Sequence, residues 1–274
     1  METIEPKLRV LALDLDDTLL RSDLSISHRT RHAIRRAEKA GVIVVLASGR
    51  IPEAMEHVSR LLGLNKRLGY LISNNGALIK ESHTGVIVHE AKLDRDTLLA
   101  ICDLADAEDF PLQMYEDQIM YVSRQNEYTG IDERLTGFRQ VVVENFRAMV
   151  GEGCYKLLIP GDPTNLSNVK EIIKTYLGAK ITIFSRRPYS LELMSKGTDK
   201  GSALAKVAEI QKISAAEAMA IGDSMNDEAM IRWAGIGVAM ANSDEQIKSI
   251  ARLVTSHTND EDGVAEVIDK YFFA

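Results

Sequence analysis

The chain has 274 residues, of which 45% are hydrophobic and 27% charged, and its formal net charge is −7. This length and apolar content suffice for one large domain or for two of ordinary size, each with a buried core. The mildly acidic balance, with no block of basic residues, disfavours nucleic-acid binding as the main role.

The first predicted element ends in a cluster of acidic residues. Val10–Leu13 is a short aliphatic run without helical spacing, which is typical of a buried strand in a parallel sheet. Asp14, Asp16 and Asp17 follow at its carboxyl end, where open α/β sheets bind their ligands. Three carboxylates this close repel one another, and a bound cation would offset that repulsion; Mg²⁺ suits an all-oxygen site best. A solvated acidic turn is the alternative interpretation of this segment alone.

The next elements predict a second loop at the same edge of the sheet. Ser27 fits a helix N-cap, and a strand over residues 42–46 leads from that helix into Ser48-Gly49-Arg50. A right-handed β-α-β crossover makes the two strands parallel, so Ser48 reaches the edge that carries Asp14. A hydroxyl followed by Gly offers hydrogen-bond donors to an anion, although Ser-Gly alone is also a common turn.

A change of pattern predicts an inserted domain. A helix over 52–62 and a strand over 70–73 lead to Asn74-Asn75-Gly76-Ala77. Beyond residue 82, several strands alternate apolar and polar residues, as in a sheet with one solvated face. The predicted strands cover 86–91, 112–115, 119–122, 154–159, 180–185 and 191–194, and the predicted helices 94–107 and 165–177. We therefore predict a separate α+β domain over residues 82–192, inserted into an α/β core formed by residues 1–81 and 193–274.

The last part of the chain returns to the pattern of the core. Lys200 opens a helix, and a buried strand over 218–221 precedes Gly222 and the acidic pair Asp223 and Asp227. A strand over 236–240 and a C-terminal helix after residue 264 complete the chain. The Asp14 cluster, Ser48, Lys200 and the Asp223/Asp227 pair are thus expected at one edge of one sheet.

These four segments resemble, in order and spacing, the motifs of the haloacid dehalogenase superfamily of phosphohydrolases. The first motif of that family, Asp-x-Asp-x-Thr after a strand, is matched by Asp14, Asp16 and Thr18. Its second, a Ser or Thr at a strand end, is matched by Ser48, and its third, a Lys, by Lys200. Its fourth, Gly-Asp-x-x-Asn-Asp, is matched by Gly222, Asp223, Asn226 and Asp227.

Other segments are similar to the Cof-type branch of the superfamily, namely the Asn-Gly-Ala turn at 75–77, the Ser-Gly-Arg ending at Arg50 and the acidic tail at 259–264. The resemblance implies a Rossmann-like, doubly wound parallel sheet core with an inserted α+β cap domain. Two positions depart from the branch, because Asp17 and Ala241 stand where Gly is usual.

The resemblance implies a role for each motif residue. Asp14 would be the nucleophile and Asp16 the general acid and base, while Asp14, Asp223 and the Asp16 carbonyl would hold Mg²⁺. Lys200, Ser48 and the N–H of Gly49 would bind the phosphoryl oxygens. Asn226 would hold Asp14 or the phosphoryl group, and Asp227 would orient Lys200 or a water on the metal. Asp17 receives no role.

The expected activity is magnesium-dependent hydrolysis of small phosphorylated metabolites, such as sugar phosphates or phosphorylated cofactors, through an aspartyl-phosphate. Arg50, Asn75 and Arg186 are the expected contacts to the substrate. A phosphomutase of the same superfamily is one alternative. A phospho-acceptor signalling module is another, although such modules are much shorter. A catalytically silent binding protein is the least favoured, because every motif residue is present.

The sequence also allows a prediction of cellular location and of binding partners. The N-terminus has no basic and then apolar signal pattern, and no apolar run is long enough to cross a bilayer. Cys102 and Cys154 lie far apart, without the spacing of a zinc or redox motif. We expect a cytoplasmic protein with free thiols, a small-molecule substrate, and neither a membrane nor a nucleic-acid partner.

Overall fold

The computed structural model of the chain describes residues 7–116 and 118–273, without the side chains of Asp132, Leu135, Thr136 and Arg186. The chain forms two compact units. Unit 1 contains the described residues up to Glu90 and those from Asp199 onward, and unit 2 comprises Ala91–Thr198.

The N-terminal segment of unit 1 alternates strands and helices before it ends in a meander. Its elements are β1 (Val10–Leu13), α1 (His28–Lys39), β2 (Ile43–Ala47), α2 (Pro52–Leu62), β3 (Gly69–Ser73), β4 (Leu78–Glu81) and β5 (Ile87–Glu90). The predicted cap of α1 is confirmed, because the Ser27 hydroxyl accepts a hydrogen bond from the Thr30 N–H at 2.9 Å. Pro52 stands in the first turn of α2, where its missing N–H removes no helical hydrogen bond.

Unit 2 contains two helices of three or more turns and several short elements. Its elements are β6 (Leu93–Asp94), α3 (Arg95–Glu108), β7 (Gln113–Glu116), β8 (Ile119–Val122), α4 (Thr129–Thr136), β9 (Arg139–Val142), α5 (Phe146–Met149), β10 (Gly153–Cys154), β11 (Leu157–Pro160), α6 (Pro163–Leu177), β12 (Ile181–Arg187) and β13 (Ser190–Ser195).

The C-terminal segment returns to unit 1 with alternating helices and strands. Its elements are α7 (Lys200–Gln211), β14 (Ala218–Gly222), α8 (Glu228–Trp233), β15 (Ile236–Ala239), α9 (Glu245–Ile250), β16 (Leu253–Val254) and α10 (Gly263–Phe272).

The sheet of unit 1 has eight strands in the order β16-β15-β14-β1-β2-β3-β4-β5. The pairs from β16 to β3 are parallel, whereas β4 and β5 are added antiparallel. β1 lies in the middle, and its four residues are fully buried. Leu11 and Leu13 pack with α1, α2 and α10, and Val10 and Ala12 pack with α7 and α8 on the opposite face. The predicted doubly wound core is therefore confirmed.

Unit 2 has a six-stranded sheet in the order β12-β13-β11-β7-β8-β9, and β6 pairs with β10 in a separate ribbon. Helices α3 and α6 cover one face through a core that includes Ile101, Ile173 and Leu193. The predicted strand over 154–159 is wrong in one respect. Tyr155 and Lys156 interrupt it, because β10 pairs with β6 whereas β11 pairs with β13.

The boundaries between the two units lie further along the chain than the expected limits of 82 and 192. β5 is hydrogen-bonded to β4 in the sheet of unit 1, so the first boundary follows Glu90. β13 continues to Ser195 along β12 and β11, and the second boundary follows Thr198. Within the described ranges, no helix combines the length and the apolar composition that crossing a membrane requires.

Neighbouring leucines of α2 provide a matched test of the core of unit 1. Leu62 is 1% exposed and Leu61 is 39% exposed. We expect Leu62→Ala to lower the free energy of unfolding by about 2–5 kcal/mol, because it leaves a cavity, and Leu61→Ala by less than about 1 kcal/mol. Urea unfolding curves measure both changes, and equal losses would contradict this packing of α2.

Candidate active site

The acidic loop after β1 is a tight turn that begins at a buried carboxylate. Asp14 is 4% exposed, and its N–H donates to the Ile221 carbonyl of the adjacent strand β14 at 3.0 Å. The turn over Leu15–Leu19 is closed by hydrogen bonds from the Leu19 N–H to the Asp14 carbonyl at 3.3 Å and from the Leu20 N–H to the Leu15 carbonyl at 2.8 Å. The backbone thus fixes where the Asp14 side chain leaves the sheet.

Lys200 is buried between two carboxylates. It is the first residue of α7, directly after the N-cap Asp199, and it has no exposed surface. Its Nζ lies 2.5 Å from Asp14 Oδ1 and 2.6 Å from Asp227 Oδ1. Burial alone would lower the pKa of Lys200, but the charges of Asp14 and Asp227 and their hydrogen bonds outweigh burial and raise it. Lys200 is therefore a buried ammonium ion.

The loop after β14 holds the other two acidic residues in different ways. The Asp227 carboxylate uses Oδ1 for Lys200, and its Oδ2 accepts from the N–H groups of Asp223 at 3.0 Å and Ser224 at 3.1 Å. Asp223 Oδ1 accepts from the Thr18 hydroxyl of the first loop at 2.9 Å. Asp227 is thus committed to Lys200 and to its own loop, whereas Asp223 is tied to the loop that carries Asp14.

The acidic cluster fits a hard divalent cation. Carboxylate oxygens of Asp14, Asp223 and Asp227 lie within 4.8 Å of one another. Burial, followed by the charges of Asp14 and Asp227, raises the pKa of Asp223 to about 9. When a positive ion replaces the proton of such a carboxyl group, the ion's charge stabilises the carboxylate. Both oxygens of Asp227 also accept hydrogen bonds within the protein.

Ser48 and Arg50 lie after β2, which is parallel to β1. Ser48 is fully buried, and its Oγ accepts from the Arg50 N–H at 3.1 Å. The Arg50 guanidinium donates two hydrogen bonds to the Asp16 carboxylate, with Nε 3.2 Å from Oδ2 and Nη2 2.5 Å from Oδ1. This bidentate pair is the strong geometry for an Arg and a carboxylate. Arg50, which we expected to contact the substrate, thus contacts the expected general acid and base.

Asn75 and Asn226 contact each other across two loops. Asn226 Nδ2 donates to Asn75 Oδ1 at 3.0 Å, and Asn226 Oδ1 accepts from the Ser224 hydroxyl at 2.7 Å. Both asparagines are buried. The sequence predicted different partners, with Asn226 against Asp14 or a phosphoryl group and Asn75 against a substrate. The two residues are 151 positions apart, so no local pattern indicated their contact.

Asp17 contributes through its backbone. Its φ of 58° lies in the left-handed region, and its carbonyl accepts from Asn242 Nδ2 at 2.7 Å. Asn242 Oδ1 accepts from the Asn259 N–H at 3.1 Å, and Asn259 Nδ2 donates to the Leu20 carbonyl at 2.9 Å. Sequence reasoning missed Asn242 and Asn259 as supports of the first loop. The left-handed backbone also explains why Gly is usual at position 17 in the branch that the motifs resemble, and why Asp is tolerated there.

Most of the predicted site residues belong to unit 1. Those in its strand-end loops or at the start of α7 are Asp14, Asp16, Ser48, Gly49, Arg50, Asn75, Lys200, Asp223, Asn226 and Asp227. Arg186 lies in β12 of unit 2, and its side chain is outside the part of the chain that the structure describes.

Comparison with known proteins agrees with this geometry. A family profile described as haloacid dehalogenase-like hydrolase matches residues 11–268. The chain belongs to this family. A haloacid dehalogenase-like hydrolase from Bacteroides thetaiotaomicron has a similar structure, with a TM-score of 0.85 and 32% sequence identity over 96% of this chain and 99% of that one.

Curated relatives of this hydrolase are named as phosphatases. Phosphatase YwpJ of Bacillus subtilis is 30% identical to this chain. The similarity extends over 95% of this chain and 99% of YwpJ. The 5-amino-6-(5-phospho-D-ribitylamino)uracil phosphatase YcsE of the same organism is 31% identical, over 94% of its length and 95% of this chain. The expected Cof-type phosphatase of the haloacid dehalogenase superfamily is confirmed, and this hydrolase is a phosphatase.

The backbone of Asp17 gives a stability test on this hydrolase. Because Ala tolerates a left-handed backbone less well than Gly, we expect Asp17→Ala to be about 1 kcal/mol less stable than Asp17→Gly. His57, exposed inside α2, is the control: there the Gly variant should be about 1 kcal/mol less stable than the Ala variant. Urea unfolding compares the pairs, and the same order at both positions would contradict the assigned backbone.

The pKa of Asp223 gives a pH-dependent metal prediction. Between its ordinary value of 3.8 and about 9, folded Asp223 keeps a proton that the unfolded chain loses, so the metal-free hydrolase loses stability as pH rises. Mg²⁺ should therefore raise the midpoint of thermal unfolding more at about pH 8 than at about pH 5. Thermal melts with and without MgCl₂ measure this difference. Asp223→Asn should remove it, and an unchanged Mg²⁺ effect in that variant would contradict the site.

Proposed function

We propose that this phosphatase hydrolyses phosphate monoesters of small metabolites, such as sugar phosphates or phosphorylated cofactors, through an aspartyl-phosphate on Asp14 and with Mg²⁺. The observation that carries the proposal is the buried ammonium of Lys200, bonded to both Asp14 and Asp227. An ion pair inside the protein favours the ionised form of the partner carboxylate. Asp14 is thereby kept available as a nucleophile.

The proposed reaction consists of two successive displacements at phosphorus. In the first, a carboxylate oxygen of Asp14 forms a bond to phosphorus, the bond to the ester oxygen breaks, and Asp16 donates its proton to the leaving alkoxide. In the second, Asp16 takes a proton from water as the water oxygen attacks the aspartyl-phosphate, which releases inorganic phosphate and restores Asp14. General acid and base catalysis of this kind contributes about a hundredfold to ten-thousandfold.

The neighbouring residues support these steps. Asp14, Asp223 and the Asp16 carbonyl would hold Mg²⁺, which would neutralise charge on the phosphate. Thr18 orients Asp223 through their hydrogen bond. Arg50 binds both oxygens of the Asp16 carboxylate and favours its ionised form, so this ion pair must open before Asp16 can carry the proton that it donates. Ser48, the Gly49 N–H and Lys200 are the proposed donors to the phosphoryl oxygens.

The substrate class rests on chemistry and on the relatives. Phosphate recognition by a cationic site does not select the rest of the ester, so the leaving group must be recognised separately. The name of YcsE specifies a small phosphorylated metabolite, which supports the same substrate class here. Arg186 remains a proposed contact to the leaving group. Cytoplasmic location and the absence of nucleic-acid or membrane partners stay predictions.

Replacement of the proposed nucleophile tests the mechanism. With MgCl₂, the purified protein should release inorganic phosphate from p-nitrophenyl phosphate, and Asp14→Asn should lower kcat on the order of ten-thousandfold or more. Asp23→Asn is a matched control, because Asp23 is an exposed carboxylate of the following turn and should leave kcat unchanged. Circular dichroism verifies that each variant is folded.

Two results would decide against this function. Full activity of Asp14→Asn, or of the wild type in excess EDTA, is incompatible with the mechanism. Phosphoryl transfer between hydroxyl groups that needs a bisphosphate activator, without phosphate release, would instead identify a phosphomutase. If p-nitrophenyl phosphate is hydrolysed, phosphate release from a panel of sugar phosphates and phosphorylated cofactors then ranks the substrates by kcat/KM.

A further inference from the structure

The turn after β3 has an unusual backbone. Asn74, Asn75 and Gly76 have φ values of 48°, 51° and 109°, so three consecutive residues are left-handed. Gly and Asn tolerate this region best, and other side chains are strained there. Strain of this kind persists where the surroundings hold it in place and is concentrated at functional sites. The turn is also internal, since Asn75 is 1% exposed.

The backbone of this turn contacts two of the catalytic segments. The N–H groups of Asn74 and Asn75 donate to the carbonyls of Arg50 at 2.8 Å and Ser48 at 2.9 Å, and so hold the second loop. Gly76 lies against the segment that precedes Lys200, because a Cβ at position 76 would be 2.3 Å from the Asp199 carbonyl oxygen.

The Asn75 side chain contacts a third segment. Its Oδ1 accepts from Asn226 Nδ2, while the Asn226 Oδ1 accepts from Ser224. The Asn75 side chain also packs on Gly49, since a Cβ at position 49 would lie 2.9 Å from Asn75 Oδ1. A primary amide has two N–H bonds in one plane. With one N–H given to Asn75 and the oxygen bonded to Ser224, the direction of the second N–H of Asn226 is fixed.

We propose that Asn75 is a positioning residue, which acts through Asn226 and does not contact the substrate. By accepting one N–H, it aims the other N–H of Asn226 at an oxygen of the transferring phosphoryl group. Preformed donors stabilise developing charge because they need no reorientation during the reaction. The inference rests on the proposed phosphatase mechanism and reassigns Asn75 from the substrate contact that the sequence predicted.

A double-mutant cycle separates this role from a purely structural one. Asn75→Gly keeps a residue that accepts the left-handed backbone but removes the amide, and Asn226→Ala removes the donor. We expect each single variant to lower kcat about 10- to 100-fold, with KM changing less than about threefold. The double variant should be within about threefold of the slower single variant, because the second substitution removes an interaction already lost.

Asn74→Gly is the matched control for loosening of the turn. Asn74 has the same left-handed backbone, and within the described residues its side chain makes no hydrogen bond. Any loss of kcat in Asn74→Gly measures the backbone effect and is divided out of the loss in Asn75→Gly. If Asn75→Gly does not fold, Asn75→Ser, whose hydroxyl is too short to reach Asn226, replaces it in the same cycle.

The outcomes are distinct. Losses that multiply in the double variant, or an Asn75→Gly variant no slower than Asn74→Gly, would overturn the role of Asn75. A wild-type protein that releases no phosphate from p-nitrophenyl phosphate in MgCl₂ would instead refute the proposed function. Wild-type activity combined with non-multiplying losses supports the positioning role.

Discussion

The active site depends on one buried cation. An unpaired ammonium inside a protein costs several kcal/mol, so Lys200 can be buried only with Asp14 and Asp227 on either side of it. That requirement ties α7 to the ends of β1 and β14. It also leaves the cluster short of positive charge, because Asp223 is a third acid beside a single ammonium. Burial, and then the charges of Asp14 and Asp227, raise the pKa of Asp223, and a divalent cation would be the group to replace its proton.

The loops around this cluster are joined by asparagine side chains. Asn226 bonds to Asn75, Asn242 to the Asp17 carbonyl, and Asn259 to the Leu20 carbonyl. Neutral amides can join loops beside an acidic cluster without adding to its repulsion, whereas carboxylates would raise it further. Amides also tolerate left-handed backbone, which occurs at Asn74 and Asn75. The choice of residue type therefore follows from the charge of the site.

The sequence predicted the fold and family better than the contacts within the site. Buried strands such as β1 lack polar residues and are followed by the motif residues, so their order along the chain revealed the sheet edge and the superfamily. The contacts of Arg50 with Asp16 and of Asn75 with Asn226 depend on loop conformation and on side-chain rotamers across distant segments, which carry no periodic signal. The domain boundaries were missed for a related reason, since the residues of β5 are equally compatible with either unit until strand pairing is known.

These contacts change where the substrate specificity of the enzyme must lie. Of the three residues that the sequence marked as substrate contacts, Arg50 is engaged with Asp16 and Asn75 with Asn226. In the proposed mechanism, these two side chains position the residues that transfer the phosphoryl group, and that transfer does not depend on the identity of the alcohol released. Recognition of that alcohol is then left to other side chains.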